Sequence, residues 1–278
     1  MGGLTLIDPG LVLAWGIPRM RDLPWRHVRD PWMILVAEVM LQQTQVDRVI
    51  PKWEAFLDAY PSPAECADAP LGDVLRLWQG LGYPRRAKYL HATAEQVIKS
   101  HDGCLPDSLD SLLALPGIGP YTARAVLAFA FERDVAVVDT NIARVLARVA
   151  GDRLTSKVAQ SAADALVPVG AGWTWNQVIM DLGALVCRPM PMCAGCPISA
   201  SCEWHVGSHP KPDPAFGSAG VSTKQAPFKG SDRQRRGQVL AALSSTGRPV
   251  AEFEARIVEG LVAEGLVERR GGEVVLPE

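Results

Sequence analysis

Leu115-Pro116-Gly117-Ile118-Gly119-Pro120 opens the string LPGIGPYTARAV at 115–126, between two stretches of helical periodicity. Two glycines separated by one apolar residue allow a tight turn that leaves backbone N–H groups exposed beside a helix N-terminus. Such groups suit a phosphate oxygen, and a phosphate contact positions a protein on a nucleic acid without reading its sequence. A plain interhelical turn is the ordinary meaning of two such glycines, but the full string is far more specific. The spacing around it predicts helices near 48–58, 70–79, 85–100, 107–113, 121–131, 140–150, 157–166 and 173–186, most of them bounded by Pro, Gly, Asp or Ser. Earlier in the chain, Asp30 is an N-cap type and Pro31 a first-turn residue. They precede a buried apolar helix with Ile34, Val36, Val39, Met40 and Leu41. Val135–Val138 is too short for a sheet, so the first ~190 residues read as all-α.

After residue 205 the character changes. Residues 206–230 are rich in Pro, Gly, Ser and Lys and read as a linker. Periodicity returns with helices over 235–243 and 252–264. A β-hairpin over 266–276 follows, turning at Gly271-Gly272. Helices followed by a hairpin suggest a small winged-helix-like α+β module, either a packing appendage or a DNA contact. The expected organisation is therefore 1–205, a linker at 206–230 and a module at 231–278.

Composition narrows the class. The chain has 278 residues, 48% hydrophobic and 21% charged, the balance of a soluble globular protein. No apolar run is long enough to cross a membrane as a helix, and the N-terminus lacks a signal peptide's basic region, so a cytoplasmic protein is expected. A net charge of −2 does not announce a nucleic-acid binder. Binding, however, needs a basic face rather than a basic average. Arg85, Arg86, Lys88, Arg124, Arg144 and Arg148 recur around the glycine turn; such charges usually solvate helix faces, but here they are candidates for that face.

Four cysteines, Cys187, Cys193, Cys196 and Cys202, fall within 16 residues. In a cytoplasmic chain this points to a metal centre rather than disulfides. Zinc and a [4Fe-4S] cluster both take four thiolates. A single CxxC flanked by two five-residue gaps favours iron–sulfur over the paired knuckles of a zinc ribbon. Cys66 and Cys104 are isolated and read as small apolar residues.

Two carboxylates stand out. Glu38 interrupts the apolar run VAEVMLQQT, where burial raises a carboxyl pKa and makes it a proton donor at neutral pH, unless it is simply paired. Asp139 follows VAVV and precedes Thr140-Asn141, the setting of an ordinary N-cap. Together they suit cleavage of a glycosidic bond, which needs an acid for the leaving group and an anion for the cationic sugar. Only the tertiary fold can join residues so far apart in sequence.

At this point the motifs coincide with a family. LPWR at 23–26, AEVMLQQTQV at 37–46, GLGYPRRAKYLH at 80–91, LPGIGPYTARAV at 115–126, VVDTNIARVLAR at 137–148 and NQVIMDLGALVC at 176–187, with the cysteines, resemble the helix-hairpin-helix/iron–sulfur DNA glycosylases. Within these the chain is most similar to the adenine DNA glycosylases (MutY family). The tail string GSDRQRRG at 230–237 looks like the family's short bacterial branch. The resemblance implies an all-α fold of two subdomains with a substrate groove between them, a [4Fe-4S] cluster on Cys187, Cys193, Cys196 and Cys202, and monomeric action on double-stranded DNA containing a mispaired adenine. It implies Glu38 as the general acid, Asp139 as the stabiliser of the sugar cation and Asn141 as the residue orienting this pair. Tyr121 stands where lyase-active relatives carry a catalytic Lys. A phenol cannot form a Schiff base, so a monofunctional glycosylase is expected. Trp25 and Arg26 match the base pocket. Gln42, Gln43, Thr44, Tyr83, Arg86, Gly117 and Gly119 match DNA-binding positions, with Gln43 and Tyr83 inserted into the duplex.

Three departures accompany the resemblance. The first cysteine gap has five residues where the family usually has six. Thr140 follows the Asp where many members have Gly. Only a short tail is present where longer members carry a Nudix-like domain that inspects 8-oxoguanine. Excision of adenine opposite 8-oxoguanine or guanine is the leading expectation. A mismatch thymine or uracil glycosylase on the same scaffold is the second, since its members also lack the Lys and can carry Tyr there. A bifunctional pyrimidine-damage enzyme and a non-catalytic DNA-binding module are further readings, disfavoured by Tyr121 and by the two carboxylates respectively.

Overall fold

The computed structural model describes residues 7–221 and 227–278. Helices are α1 (Pro9–Gly16), α2 (Pro31–Leu41), α3 (Val46–Ala59), α4 (Pro63–Asp68), α5 (Leu71–Leu77), α6 (Arg85–Ser100), α7 (Leu109–Leu113), α8 (Pro120–Phe129), α9 (Thr140–Ala150), α10 (Ser156–Leu166), α11 (Gly172–Asp181), α12 (Glu203–Val206), α13 (Asp232–Ala242) and α14 (Ala255–Ala263). Strands β1 (Arg248–Pro249), β2 (Glu268–Arg270) and β3 (Glu273–Val275) form one antiparallel sheet in the order β1-β3-β2. The fold is thus mostly helical with a small C-terminal sheet.

Local chemistry sets many of the boundaries. The Asp30 carboxylate accepts from Met33 N at 2.9 Å and Pro31 opens α2, whose next residues, from Trp32 to Met40, are nearly all buried. Ser62 and Glu65 close a capping box on α4, Thr155 caps α10 and Ser231 caps α13. α9 starts on Asp139 and stops at Gly151, whose φ of 68° ends the helix in the left-handed region.

The described residues divide into two compact units. One contains 7–26 and 123–221. Val12, Leu127, Val137, Ile142, Leu146, Trp175, Val178 and Leu182 lie in its core, and α1 packs against α11. The other contains 27–122 and 227–278. Leu35, Met40, Phe56, Trp78, Leu90 and Leu112 lie in its core, and Val258, Leu261 and Leu266 of the C-terminal segment are buried as well.

The structure extends the sequence reading in several places. α1 and α4 carry no periodic signal: α1 is apolar on every side and α4 is six residues long. The helix expected over 173–186 is α11 as far as Asp181 and then a π-helical turn, Leu182–Val186, closed by Cys187 N donating to Leu182 O at 2.8 Å. The helix expected from 252 begins at Ala255, because Val250–Glu252 form a separate 3₁₀ turn. The hairpin turns at Gly271-Gly272, both at positive φ, and β1 adds a third strand. The stretch read as a linker includes 222–226, which lie outside the described residues. Its part up to 221 is bonded into the first unit, with Asp213 on Arg148 and Ser218 Oγ accepting from Leu154 N.

Candidate active site and cysteine centre

Glu38 lies in the middle of α2 and is only 5% exposed. Its neighbours along the helix are buried and apolar, and the Tyr121 hydroxyl donates to its Oε2 at 2.8 Å. Tyr121 belongs to the first turn of α8, immediately after the glycine turn. The turn itself is closed by Ile118 N donating to Leu115 O, with both side chains buried. Gly117 sits at φ 70°, and a Cβ there would meet the Tyr89 side chain at 2.6 Å. Only glycine satisfies both conditions. A Cβ on Gly119 would meet nothing within 4 Å. That residue directly precedes the N-terminus of α8, an arrangement that can take an anion on its backbone N–H groups.

The loop after α2 lies in the same unit. The Gln42 amide donates to Thr122 Oγ1 at 3.3 Å, and Gln43 is exposed with φ 58°. Tyr83 is likewise held in the left-handed region, at φ 48°. For non-glycine residues this costs on the order of 1–3 kcal/mol and is typical of functional loops. Arg86 is buried beneath these loops. Its guanidinium donates to Val39 O, Met40 O, Leu81 O, Gly82 O and Thr44 Oγ1, at 2.7 to 3.2 Å. Burial pushes its pKa down to about 10, which still leaves it charged at neutral pH. Thr44 Oγ1 in turn donates to Leu81 O at 3.2 Å. Arg86 and Thr44 therefore fasten the 42–44 and 81–83 segments together.

In the other unit, Asp139 is half-buried at the start of α9. Its carboxylate accepts from Ile142 N at 2.7 Å and from Asn141 Nδ2 at 2.8 Å. Burial raises its pKa above the ordinary value, against these bonds and the nearby Arg144 charge, which lower it. Arg144 continues the relay. Its Nη2 donates to Asn141 Oδ1 at 2.8 Å and to Gly183 O at 2.7 Å, and its Nε to Cys187 O at 2.6 Å. Trp25 and Arg26 are both buried. Arg26 makes a bidentate pair with Asp181 at 2.8 and 2.9 Å, and Arg21 joins it. Burial raises the Asp181 pKa, but Arg26 and Arg21 outweigh it and hold the carboxyl below the ordinary range. Sequence reading misses Asp181, although it carries the same signal as Glu38, a lone carboxylate in an apolar run.

Cys187, Cys193, Cys196 and Cys202 are all free thiols and line one cavity of about 380 Å³ including its mouth. Its other walls include Val145, Val149, Leu182, Val186, Ile198 and Trp204. Burial pushes the Cys196 thiol up to about 11 and raises those of Cys202 and Cys193. The thiolate form there calls for a positive partner. Arg148, 2% exposed, underlies the loop. It donates to Cys187 Sγ at 3.4 Å, to Arg188 O at 2.6 Å and to Pro189 O at 3.0 Å, and pairs with Asp213 at 2.6 Å. Its guanidinium also stacks over Trp204 at 4.5 Å. Four thiols, no disulfide among them, apolar walls and an underlying cation fit a four-thiolate cluster.

These bonds correct one expectation. Arg144 and Arg148 are not part of a basic face, because burial commits both to carbonyls and acceptors around the cysteine loop. Arg124 pairs with Asp164 at 2.8 Å and Lys88 donates to Glu264 O at 2.6 Å. Sequence reading could count these charges but not their acceptors, which lie far along the chain.

The fold and the glycine turn define a DNA base excision glycosylase scaffold: residues 36–168 match the family described as HhH-GPD superfamily base excision DNA repair protein. Among solved structures, a thermostable thymine-DNA glycosylase superposes with a TM-score of 0.68 at 31% identity, over 72% of this chain and 95% of that one. An endonuclease III trapped on DNA shares the fold, with a TM-score of 0.63 at 23% identity. The adenine DNA glycosylase of Mycolicibacterium smegmatis is 38% identical over 281 residues, 95% of this chain and 93% of the relative. The human adenine DNA glycosylase is 38% identical over 210 residues, 70% of this chain and 38% of the relative. The chain belongs to the adenine DNA glycosylase family of the HhH-GPD superfamily.

Proposed function

We propose that this protein excises adenine mispaired with 8-oxoguanine or guanine from double-stranded DNA, by hydrolysis of the N-glycosidic bond and without strand cleavage. The observation that carries the chemistry is the buried Glu38 bonded to the Tyr121 hydroxyl. Tyr121 Oη donates to Oε2 and so orients the carboxyl that, in this reading, carries the proton for the base. Glu38 delivers that proton to the flipped adenine ring, and the protonated purine leaves with the electron pair of the glycosidic bond. Glu38, now a carboxylate, then takes a proton from the attacking water. Asp139 provides the negative charge facing the sugar cation, and Asn141 holds its carboxylate in place. Tyr121 occupies the lyase position with a phenol, already engaged with Glu38, so no Schiff base forms.

Gln43 and Tyr83, on strained backbone, are the residues inserted into the duplex. Gln42, Thr44 and Arg86 hold their loops, and Gly117 and Gly119 receive a DNA phosphate. Trp25 and Arg26 shape the base pocket, with Arg26 fixed by Asp181. Cys187, Cys193, Cys196 and Cys202 would hold a [4Fe-4S] cluster, whose chemistry here is to fasten the loop over Arg148. In this reading residues 231–278 are a winged-helix-like module beside the glycosylase domain at 1–205. Among the described residues no helix is long and apolar enough to cross a membrane. The setting proposed is the cytoplasm, at the chromosome, with the protein acting as a monomer.

The thymine-DNA glycosylase likeness keeps a second reading in view, mismatch thymine or uracil excision. Single-turnover assays on 8-oxoguanine:adenine, guanine:adenine, guanine:thymine and guanine:uracil duplexes, each with and without alkali, separate the two. Breaks at adenine alone, and only after alkali, are expected. Excision at thymine or uracil instead overturns the adenine assignment.

A further inference from the structure

The chain leaving the cysteine loop turns back on itself. After α12, Gly207 N donates to Glu203 O, Ser208 N to His205 O and His209 N to Trp204 O, at 2.8 to 2.9 Å. Ser208 and His209 both sit in the left-handed region, at φ 61° and 58°. Neither is glycine, so each costs on the order of 1–3 kcal/mol. The Trp204 indole N–H ties down the returning chain by donating to Pro210 O at 2.9 Å.

This reversal sets the His209 ring edge-on against Trp204, with ring centres 4.5 Å apart. It brings His209 Nε2 to 3.4 Å from Cys193 Sγ and 3.2 Å from His205 Nδ1. His205 also lines the cavity of the four cysteines. No step of the excision chemistry uses this imidazole pair. One nitrogen faces two atoms, and counting protons decides what it does. A cluster-bound cysteine is a thiolate, which can only accept. The contact with Cys193 therefore requires the hydrogen on His209 Nε2, and His205 faces it with an unprotonated Nδ1.

We propose that His209 raises the reduction potential of the [4Fe-4S] cluster by donating Nε2–H to Cys193 Sγ, and so protects the cluster that fastens this loop from oxidation. The inference rests on the reading of Cys193 as a cluster ligand. Loss of one electron makes a four-thiolate cluster less negative. A donor aimed at a ligand sulfur stabilises the more negative form, so the electron is harder to remove. Hydrogen bonds to the sulfurs are among the groups that set a cluster's potential. Arg148 makes the corresponding bond to Cys187 Sγ and stacks on the same Trp204, so two of the four sulfurs receive a donor held by one indole.

The test is the potential at which the loaded, full-length protein gives up one electron to a poised electrode, followed by its absorbance near ~400 nm. Iron content is measured first. H209F keeps a flat ring against Trp204 and removes the N–H. At a fixed electrode potential its ratio of oxidised to reduced cluster is expected to rise about tenfold, a shift of ~59 mV to lower potential for one electron. H209Q retains an N–H donor at a similar reach and is expected to stay close to wild type. An unchanged or higher potential in H209F overturns the inference, as does an H209Q potential that falls as far as that of H209F. Failure of H209F to take up iron overturns it as well, because His209 is then needed for assembly and not for tuning. If the wild type itself holds no iron, the cluster reading fails and the inference with it; a loaded H209F at the wild-type potential removes the inference alone.

Discussion

At the scale of single residues, the proposed chemistry depends on two carboxylates prepared in different ways. Glu38 is buried on α2 and bonded to a phenol hydroxyl, which suits the proposed role of holding and releasing a proton. E38Q keeps the shape and removes the proton, so single-turnover excision should fall by about 10²–10⁴-fold, the usual contribution of general acid–base catalysis. Duplex binding by the same variant, read by fluorescence anisotropy, should stay near wild type. Asp139 must be ionised to face a cation, yet burial raises its pKa, while the Asn141 amide and Ile142 N–H lower it. The sign follows directly: activity that needs the carboxylate falls as pH drops through this raised pKa. N141A removes one of the lowering bonds, so the acid limb of the excision profile should move to higher pH, with the largest loss of rate at the acidic end. A uniform loss across the pH range, with no shift of the limb, counts against Asn141 acting through Asp139. The readings of these two acids from sequence have different foundations. Glu38 is conspicuous because a charge in an apolar run is costly, and the structure gives it a partner in the half-buried Tyr121. Asp139 looks like an N-cap and is one; its likeness to the family, not its surroundings in the sequence, suggests anything more.

At the scale of elements, the glycine turn separates fold from binding. Gly117 has positive φ and no room for a Cβ, whereas Gly119 has open space in front of it. G117A should therefore destabilise the protein, by about 1–3 kcal/mol from backbone strain alone, and should lower the denaturation midpoint. G119A should leave that midpoint close to wild type and weaken duplex binding several-fold, because the added methyl stands where the proposed phosphate contact at the α8 N-terminus would form. Equal duplex affinity for G119A and wild type, measured at low salt, would remove this turn from the DNA interface. The helices and the turn are readable from periodicity and from local punctuation such as Asp30-Pro31, although the Ser231 cap starts α13 at Asp232, ahead of the expected 235. The bonds of Arg86, Arg144 and Arg148 are not. Each uses a buried guanidinium to collect carbonyls that lie about 40 residues distant in the chain, and sequence spacing holds no record of those carbonyls. β1 escapes notice for a simpler reason, being two residues long with a proline in it.

At the scale of the molecule, each compact unit is built from separated pieces of chain, so long-range ties must offset the entropy of closing them. In the second unit, Gly72 N donates to Pro277 O at 2.9 Å and Arg76 Nε to Ser244 O at 2.7 Å, bringing the C-terminal segment onto α5. In the first, Asp181 binds Arg21 and Arg26 across more than 150 residues, joining the N-terminal segment to α11. D181N keeps the shape but leaves Arg26 buried without its ionic partner, which typically costs about 3–5 kcal/mol. Asp181 has a lowered folded-state pKa. Its contribution is therefore present above the unfolded aspartate value of about 3.9 and is lost as pH falls through the lower folded value. Urea denaturation of wild type and D181N at pH 7 should differ by nearly the full amount. The two curves should converge as the pH is taken well below 4, because the wild-type carboxyl then also becomes neutral. A difference that persists unchanged in acid would mean that the substituted amide disturbs packing rather than charge, and that the N-terminal segment is held by the apolar contact of α1 with α11.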